Sequence, residues 1–333
     1  MKRFRILLLL ISALLFSPFF TLIAQPPTVD HHLHIRSEDG TQALVRILDE
    51  VQGQQGVKLQ PSVEAGDVVA LLDSTGTEKA VLLSTAYFFA MPDLEFENER
   101  ERLRRENEYV AEQAGHNPDR LIPFCAVNPL SEYALEEITW CGEDERFAGL
   151  KLHLANSDLD FRNEQHVKAL QEVFKRAGEL DLALIVHLWT RHPDFGAKDT
   201  EIFIQEILPE AGDVTVQIAH LGGPGTYSEV TREVAGTFSK AIQNGEVNGS
   251  NLYFDLAEVP ERPERASDEQ ERQRREQANR ELADLIRELG TDRVLWGTDW
   301  IAGPPQVYMS KLQWRLPDDL WDAIRENKAP YLR

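Results

Sequence analysis

Short apolar runs alternate with amphipathic helical stretches along most of this 333-residue chain, and this alternation constrains its fold more than any other feature. Strands are predicted near 28–34, 78–85, 121–127, 147–154, 181–189, 214–221, 251–258 and 293–300. Helices are predicted between them, at roughly 63–74, 96–116, 131–140, 163–179, 199–209, 227–245 and 267–289. Eight strands with helices between most of them are typical of an α/β (β/α)8 TIM barrel, here a single domain with C-terminal capping helices.

The N-terminus has the pattern of a secretory signal. Basic residues come first, and an apolar run then extends as far as Ala24; the basic residues are Lys2, Arg3 and Arg5. A basic segment, an apolar segment and a small residue before the cut predict a signal peptide over residues 1–24. The mature domain would then be 25–333, exported to the periplasm or the extracellular space, with no remaining membrane association.

The charge balance narrows the choice of partner. The net charge is −21, with 56 acidic against 35 basic residues, which disfavours nucleic acid and anionic lipid. A small-molecule substrate is therefore the expected partner, and the sequence leaves a homo-oligomer open.

The chain contains two cysteines, Cys125 and Cys141. Their spacing matches no metal-binding framework, and the sequence is equally compatible with a disulfide and with two buried thiols.

Polar side chains that can bind metal gather at the ends of the predicted strands. Strand alternation places Asp30, His32 and His34 on one face of the first strand and His31 on the other. Five of the nine histidines fall at or near the carboxyl ends of strands, where the loops of a barrel converge: His32, His34, His153, His187 and His220. Asp299 ends the last strand between apolar neighbours, where a buried carboxylate needs a cation or hydrogen bonds. Together these residues predict a metal site.

A substrate pocket is predicted around the same strand ends. In the fourth strand three leucines share one face, while Lys151 and His153 share the other and are expected to face inward. Trp189 ends the fifth predicted strand and Arg191 follows it, and Tyr87 lies in an aromatic loop after the second. These side chains are compatible with a carboxylated or aromatic substrate.

At these residues the sequence resembles the amidohydrolase superfamily, in the branch that groups metal-dependent hydrolases with aminocarboxymuconate semialdehyde decarboxylase. The matching pieces are VDHHLH at 29–34, GLKLH at 149–153, IVHLW at 185–189, IAHLGG at 218–223, NLYFDLA at 251–257 and WGTDW at 296–300. The segment that ends the chain also looks like the closing helix of that family. The resemblance spans residues 27–333.

The resemblance implies a set of roles for these residues. One divalent ion would be held by four ligands: His32, His34, His187 and Asp299. Zn²⁺ is the first expectation and Mn²⁺ the alternative, since the same ligands suit both. His220 would act as acid/base or oxyanion stabiliser, and Asp299 would also move a proton. Lys151 and His153 would contact substrate, although binuclear relatives use a modified lysine near this position to bridge two ions.

Three functions are compatible with this constellation. The preferred hypothesis is a secreted metal-dependent hydrolase that attacks a small amide, ester or lactone with a metal-activated water, because export suits nutrient degradation. The alternative is a metal-dependent lyase, a non-oxidative decarboxylase of an aromatic or enoic carboxylic acid. A barrel with a purely structural metal is disfavoured, because such a site closes its coordination and needs no neighbouring acid/base.

Overall fold

Eight parallel strands form one sheet in the order β1 to β8 in the computed structural model, which describes residues 25–301 and 316–332. The last and first strands meet through a parallel bridge between Leu33 and Trp300. The Asp299 N–H also donates to the His32 carbonyl at 2.7 Å. The predicted α/β barrel is therefore confirmed. The predicted signal peptide, residues 1–24, lies outside the described residues, and the single-domain assignment stays a prediction.

The strands and helices alternate along the described chain. The strands are β1 Val29–His34, β2 Lys79–Leu83, β3 Leu121–Ala126, β4 Gly149–His153, β5 Ala183–His187, β6 Val216–Ile218, β7 Leu252–Asp255 and β8 Val294–Leu295. The α-helices are α1 Glu38–Arg46, α2 Ala65–Thr75, α3 Glu99–Gly115, α4 Ala134–Glu143, α5 Glu164–Glu179, α6 Ala197–Ile202, α7 Glu229–Gln243, α8 Glu269–Leu289 and α9 Asp318–Ile324. None of the helices in these ranges is long and apolar enough to cross a membrane.

The β4 strand shows how the pattern of the sequence produces two packing layers. Leu150, Leu152 and Leu154 are fully buried in the main hydrophobic cluster, together with the apolar face of α5. That helix begins at Asn163, whose side chain accepts from the Gln165 N–H at 2.9 Å. The alternate residues of β4, including Lys151, face the interior, as predicted.

The sixth, seventh and eighth strands end three to five residues earlier than the sequence predicts. The sixth strand stops at Ile218 and the eighth at Leu295, instead of near 221 and 300. The backbone then turns into the left-handed region, with φ of 56° at His220 and 52° at Asp299. Alternation along an extended strand therefore does not set the direction of these two side chains; a local turn does.

The C-terminal segment closes the amino-terminal end of the barrel. In α9 the Trp321 ring packs against Trp296 at 5.3 Å, and its Nε1 donates to the Gln25 carbonyl at 3.1 Å. Tyr331 follows and enters the barrel floor, with its ring 5.1 Å from that of Phe124. The predicted terminal cap thus covers the end opposite the loops that carry the candidate site.

The two cysteines are paired. Cys125 in β3 and Cys141 in α4 form a disulfide with a Cα–Cα distance of 6.4 Å, within the ordinary range. Both residues are fully buried. Of the two states that the sequence leaves open, the structure contains the disulfide.

Candidate metal centre

A β-bulge in β1 directs the first histidines of the site. Asp30 pairs with Ala80 and Leu33 with Leu82, so β1 contains one more residue than β2 over this interval. The His31 ring consequently lies 6.2 Å from that of Tyr331 in the barrel floor. The alternation predicts His31 on the face of the strand opposite His32; the bulge interrupts that alternation, and the His31 ring also lies inside the barrel.

His32, His34 and Asp299 come together above the bulge. One carboxylate oxygen of Asp299 lies 3.4 Å from the Nε2 of His32 and 3.3 Å from the Nε2 of His34. The three candidate ligand atoms all lie within 4.8 Å of one another. Two imidazoles and a carboxylate at this spacing can hold a divalent cation, which is the cofactor that the sequence predicts.

The other ring nitrogen of each histidine is fixed by an oxygen acceptor. The Nδ1 of His32 lies 3.0 Å from an Asp255 carboxylate oxygen, and that of His34 lies 3.2 Å from the Leu83 carbonyl. The Nδ1 of His220 lies 2.7 Å from the Ala257 carbonyl. Since these oxygens only accept, the hydrogen bonds assign the proton to Nδ1 and leave the Nε2 lone pair available.

Burial keeps the imidazoles of His32 and His34 neutral, as metal binding requires. Desolvation and the nearby Lys151 ammonium lower the pKa of His32 to about 3. Desolvation also lowers the pKa of His34. Burial alone would raise the pKa of Asp299, but His32 and His34 reverse this and hold it below its ordinary value. The group therefore combines neutral imidazoles with an ionised carboxylate.

Asp255 is a site residue to which the sequence pattern assigned no role. Its carboxylate accepts four hydrogen bonds: from the His32 Nδ1 at 3.0 Å, the Gln217 Nε2 at 2.7 Å, the His220 N–H at 3.0 Å and the Ala257 N–H at 3.1 Å. His32, His220 and Asp255 also form a group with metal-ligand spacing, but these bonds already use the Asp255 oxygens. Asp255 therefore orients two histidines. The feature of the sequence that could have identified Asp255 is its position as a charged residue at the end of an apolar strand.

His187 lies beside the His32–His34–Asp299 group and not within it. No set of ligand atoms within 4.8 Å includes His187 among the described residues. Its ring stacks on His153 at 3.9 Å and lies 4.9 Å from that of His220. Its Nε2 is buried and has no hydrogen-bond partner in the described part of the chain. A buried nitrogen without a hydrogen-bond partner at this place is free to bind a metal ion or a substrate. The assignment of His187 as the fourth metal ligand stays a prediction.

Most of the predicted substrate residues lie beside the candidate metal group, and one lies apart from it. The Lys151 Nζ lies 3.2 Å from the Nε2 of His32, and burial lowers the pKa of Lys151 to about 8. Two aromatic rings flank the stacked pair, since Tyr87 lies 5.1 Å from His153 and Trp189 lies 6.3 Å from His187. Arg191 is not among them: it is partly exposed and forms an ion pair with Asp93.

Comparison with known proteins identifies the family. An amidohydrolase family model matches residues 29–326. The search of curated proteins found no match.

Several solved structures share the fold. They include 5-carboxyvanillate decarboxylase from Novosphingobium aromaticivorans with manganese and a nitrobenzoic acid, with 15% identity, 91% of this chain and 94% of that chain covered, and a TM-score of 0.59. A 2,6-dihydroxybenzoate decarboxylase from Rhizobium has 16% identity, 90% and 96% coverage, and a TM-score of 0.55. A zinc-bound amidohydrolase from Burkholderia multivorans has 12% identity, 90% and 95% coverage, and a TM-score of 0.53. The family match confirms the resemblance inferred from the sequence, and the chain belongs to the amidohydrolase family of enzymes.

Proposed function

We propose that this enzyme is a metal-dependent, non-oxidative decarboxylase of an aromatic carboxylic acid. The observation that carries the proposal is the position of Lys151, a buried cation beside the candidate metal group. Tyr87 and Trp189 add aromatic rings to the same site. A cation pairs with a carboxylate, and aromatic rings pack against a planar ring. Two of the similar solved structures are decarboxylases of hydroxylated benzoic acids, which favours this reaction over the hydrolysis preferred from the sequence.

The cofactor in this proposal is one Mn²⁺ or Zn²⁺ ion held by His32, His34 and Asp299, with His187 as the candidate fourth ligand. The ion supplies positive charge that stabilises electrons developing on the substrate. Its presence fits the available Nε2 lone pairs of the histidines and the ionised carboxylate of Asp299.

The reaction requires one proton. The bond between the ring and the carboxylate breaks, its electron pair stays on the ring carbon, that carbon takes up a proton, and CO2 leaves. Asp299 is ionised, so it first accepts a proton from a substrate hydroxyl or from solvent before it delivers one. Lys151 holds the substrate anion, and His220 faces the same centre as a second acid/base.

Hydrolysis of a small amide, ester or lactone is the second candidate. The observation that favours it is the ionised Asp299 in the candidate metal group, since hydrolysis would need a base that takes a proton from water. Both reactions use a small-molecule substrate, and the net charge of −21 disfavours nucleic acid as a partner.

One assay separates the two candidates. The metal-loaded enzyme is incubated with hydroxybenzoic acids while CO2 is measured, and with lactones and esters while acid release is measured, each with and without a chelator. The proposal expects CO2 release that the chelator abolishes. It also expects Lys151→Met to raise KM for the carboxylate substrate by roughly tenfold or more, because a charge-assisted hydrogen bond contributes about 1.5–3 kcal/mol. Lactone or ester turnover without CO2 release would establish hydrolysis instead.

We also propose that the protein is exported to the periplasm or the extracellular space. The basic and apolar leader and the disulfide between Cys125 and Cys141 support this location, because disulfides persist in oxidising compartments. Intact mass of the protein from its native cell fraction tests it. A mass that lacks residues 1–24 and corresponds to paired cysteines is expected, whereas a full-length, reduced cytosolic species would contradict the proposal.

A further inference from the structure

A series of buried hydrogen bonds connects the end of the chain with the candidate metal centre. The Tyr331 hydroxyl donates to the Gln217 Oε1. The Gln217 Nε2 donates to an Asp255 carboxylate oxygen at 2.7 Å, and the same oxygen accepts from the His32 Nδ1 at 3.0 Å. Gln217, Asp255 and His32 are fully buried. A residue two positions from the C-terminus thus reaches a candidate metal ligand through two side chains.

The direction of these bonds follows from the neighbours of Gln217. Its Nε2 faces two acceptors, the Asp255 carboxylate and the His31 carbonyl at 3.3 Å. Turning the amide over would place its oxygen against both of them, so the oxygen faces the hydroxyl of Tyr331. Tyr331 must therefore donate. Burial raises the pKa of Tyr331 well above its ordinary value, so the hydroxyl keeps its proton.

The terminal segment holds Tyr331 in this position. The Thr28 N–H donates to the Arg325 carbonyl at 2.8 Å, which joins the start of the first strand to the end of α9. The Tyr331 ring packs between the rings of Phe124 and His31, at 5.1 and 6.2 Å. The hydroxyl is therefore presented to Gln217 by packing in the barrel floor, below the metal group.

We propose that Tyr331 is a positioning residue for the metal centre: acting through Gln217 and Asp255, it fixes the His32 imidazole with its Nε2 directed towards Asp299. The proposal rests on the metal site of the proposed function, but not on the reaction catalysed there. The partners that orient a metal-ligating histidine influence affinity strongly, and their loss typically costs 10–100-fold. Tyr331 acts two hydrogen bonds further from the ligand than Asp255, so the lower end of that range applies.

The test uses Tyr331→Phe, which removes the hydroxyl and keeps the ring. The dissociation constants for Zn²⁺ and Mn²⁺ are measured on the full mature chain by competition with a chromophoric chelator. Tyr331→Phe is expected to weaken binding by about tenfold, and Gln217→Met by a similar factor. In the Gln217→Met background, Tyr331→Phe should add less than about twofold, because the connection is already broken.

Phe174→Leu is the matched control. It removes a buried ring of the main hydrophobic cluster, whereas Tyr331 belongs to a separate cluster in the barrel floor. It should lower Tm without changing metal affinity, which separates positioning of His32 from a general loss of packing.

An unchanged dissociation constant in Tyr331→Phe, or an effect that adds fully to that of Gln217→Met, would overturn the inference. Should Tyr331→Phe fail to fold, Gln217→Met and Phe174→Leu still decide it, since only the former should weaken metal binding. Absence of metal binding in the wild-type protein would instead overturn the proposed function.

Discussion

At the scale of single residues, His220 and Asp299 owe their positions to left-handed backbone. Their φ angles are 56° and 52°, values that residues other than glycine seldom adopt. Such conformations cost about 1–3 kcal/mol and gather at functional sites, where surrounding contacts maintain them. In both cases the turn brings a polar side chain back over the barrel axis after the strand has ended.

His220→Asn tests the role of the imidazole without disturbing this turn, because asparagine tolerates left-handed backbone. Turnover should fall roughly a hundredfold or more, the typical contribution of a general acid or base. Metal content should stay near that of the wild type. Steady-state kinetics and elemental analysis check both expectations; parallel loss of metal and activity would make His220 a required ligand.

Gly297 tests how closely the backbone must approach His32. A Cβ added at Gly297 would lie 2.7 Å from the Cβ of His32, so Gly297→Ala must displace the ligand. We expect a loss of about 1–3 kcal/mol in the free energy of unfolding, together with weaker metal binding.

Gly236→Ala is the control for this substitution. Apart from its chain neighbours and the backbone of its own helix, α7, no atom of the described residues lies within 4 Å of a Cβ added there, and the change should stabilise the protein by about 0.4–1 kcal/mol. Urea unfolding and metal titration of both variants provide the comparison. Equal metal affinity in the two variants would show that His32 tolerates the displacement.

Strand ends predict where several polar side chains gather, whereas their roles stay predictions. The structure brings His32 and His34 together at the end of β1 and places Lys151 of β4 beside His32. The position of the His31 ring inside the barrel was not predicted, because a bulge depends on the pairing of two distant strands. Asp255 received no role because its four hydrogen-bond donors come from three separate segments of the chain.

At the scale of secondary-structure elements, Glu106 joins three parts of the upper barrel. On α3, it accepts hydrogen bonds from the Ser37 N–H at 3.0 Å, at the start of α1, and from the Thr85 hydroxyl at 3.1 Å, after β2. Burial raises the pKa of this carboxyl above its ordinary value of 4.5. The ionised form is therefore disfavoured in the folded state.

The raised pKa of Glu106 fixes the sign of a pH effect. The folded state binds the proton more tightly than the unfolded state, so the contribution of Glu106 to stability is complete below about pH 4 and is lost as pH rises through the folded-state pKa. Glutamine carries no proton that titrates in this range. Glu106→Gln should therefore gain stability relative to the wild type between about pH 4 and pH 7, as measured by urea unfolding. Parallel stability curves over that range would contradict a raised pKa.

The disulfide is the second contact between elements that can be tested. It ties β3 to α4 across 16 residues. Closing a loop of this length stabilises a protein by about 3 kcal/mol through the unfolded state. Cys125→Ala combined with Cys141→Ala should lose about that amount, and a reductant should weaken the wild type but not the variant. Insensitivity of the wild-type unfolding curve to reductant would show that the thiols are unpaired.

Helices were predicted more accurately than strand ends. Six of the seven predicted helices between the strands end within three residues of the observed bounds, because amphipathic periodicity extends over several turns. The seventh, near 199–209, divides into α6 and a π-helical turn at Phe203–Ile207. The sixth and eighth strands are shorter than predicted, since apolar residues continue beyond the last ladder hydrogen bond.

At the scale of the whole molecule, the two ends of the barrel have different roles. The carboxyl ends of the strands and the loops after them carry the candidate metal group, whereas the terminal segment with Trp321 and Tyr331 closes the other end. The large hydrophobic cluster between strands and helices supports both ends. The alternation of strands and helices predicts this architecture, while the link between the barrel floor and His32 depends on contacts that only the folded chain creates.

Metal stoichiometry tests the central claim most directly. The purified protein is stripped with chelator, reloaded with Mn²⁺ or Zn²⁺, and compared with His34→Ala and with His116→Ala, which alters an exposed histidine at the end of α3. The wild type and His116→Ala should each retain one equivalent of metal after gel filtration. His34→Ala should lose most of it, because the His32–His34–Asp299 group would lack a ligand. Full occupancy in His34→Ala, or no retained metal in the wild type, would contradict the account.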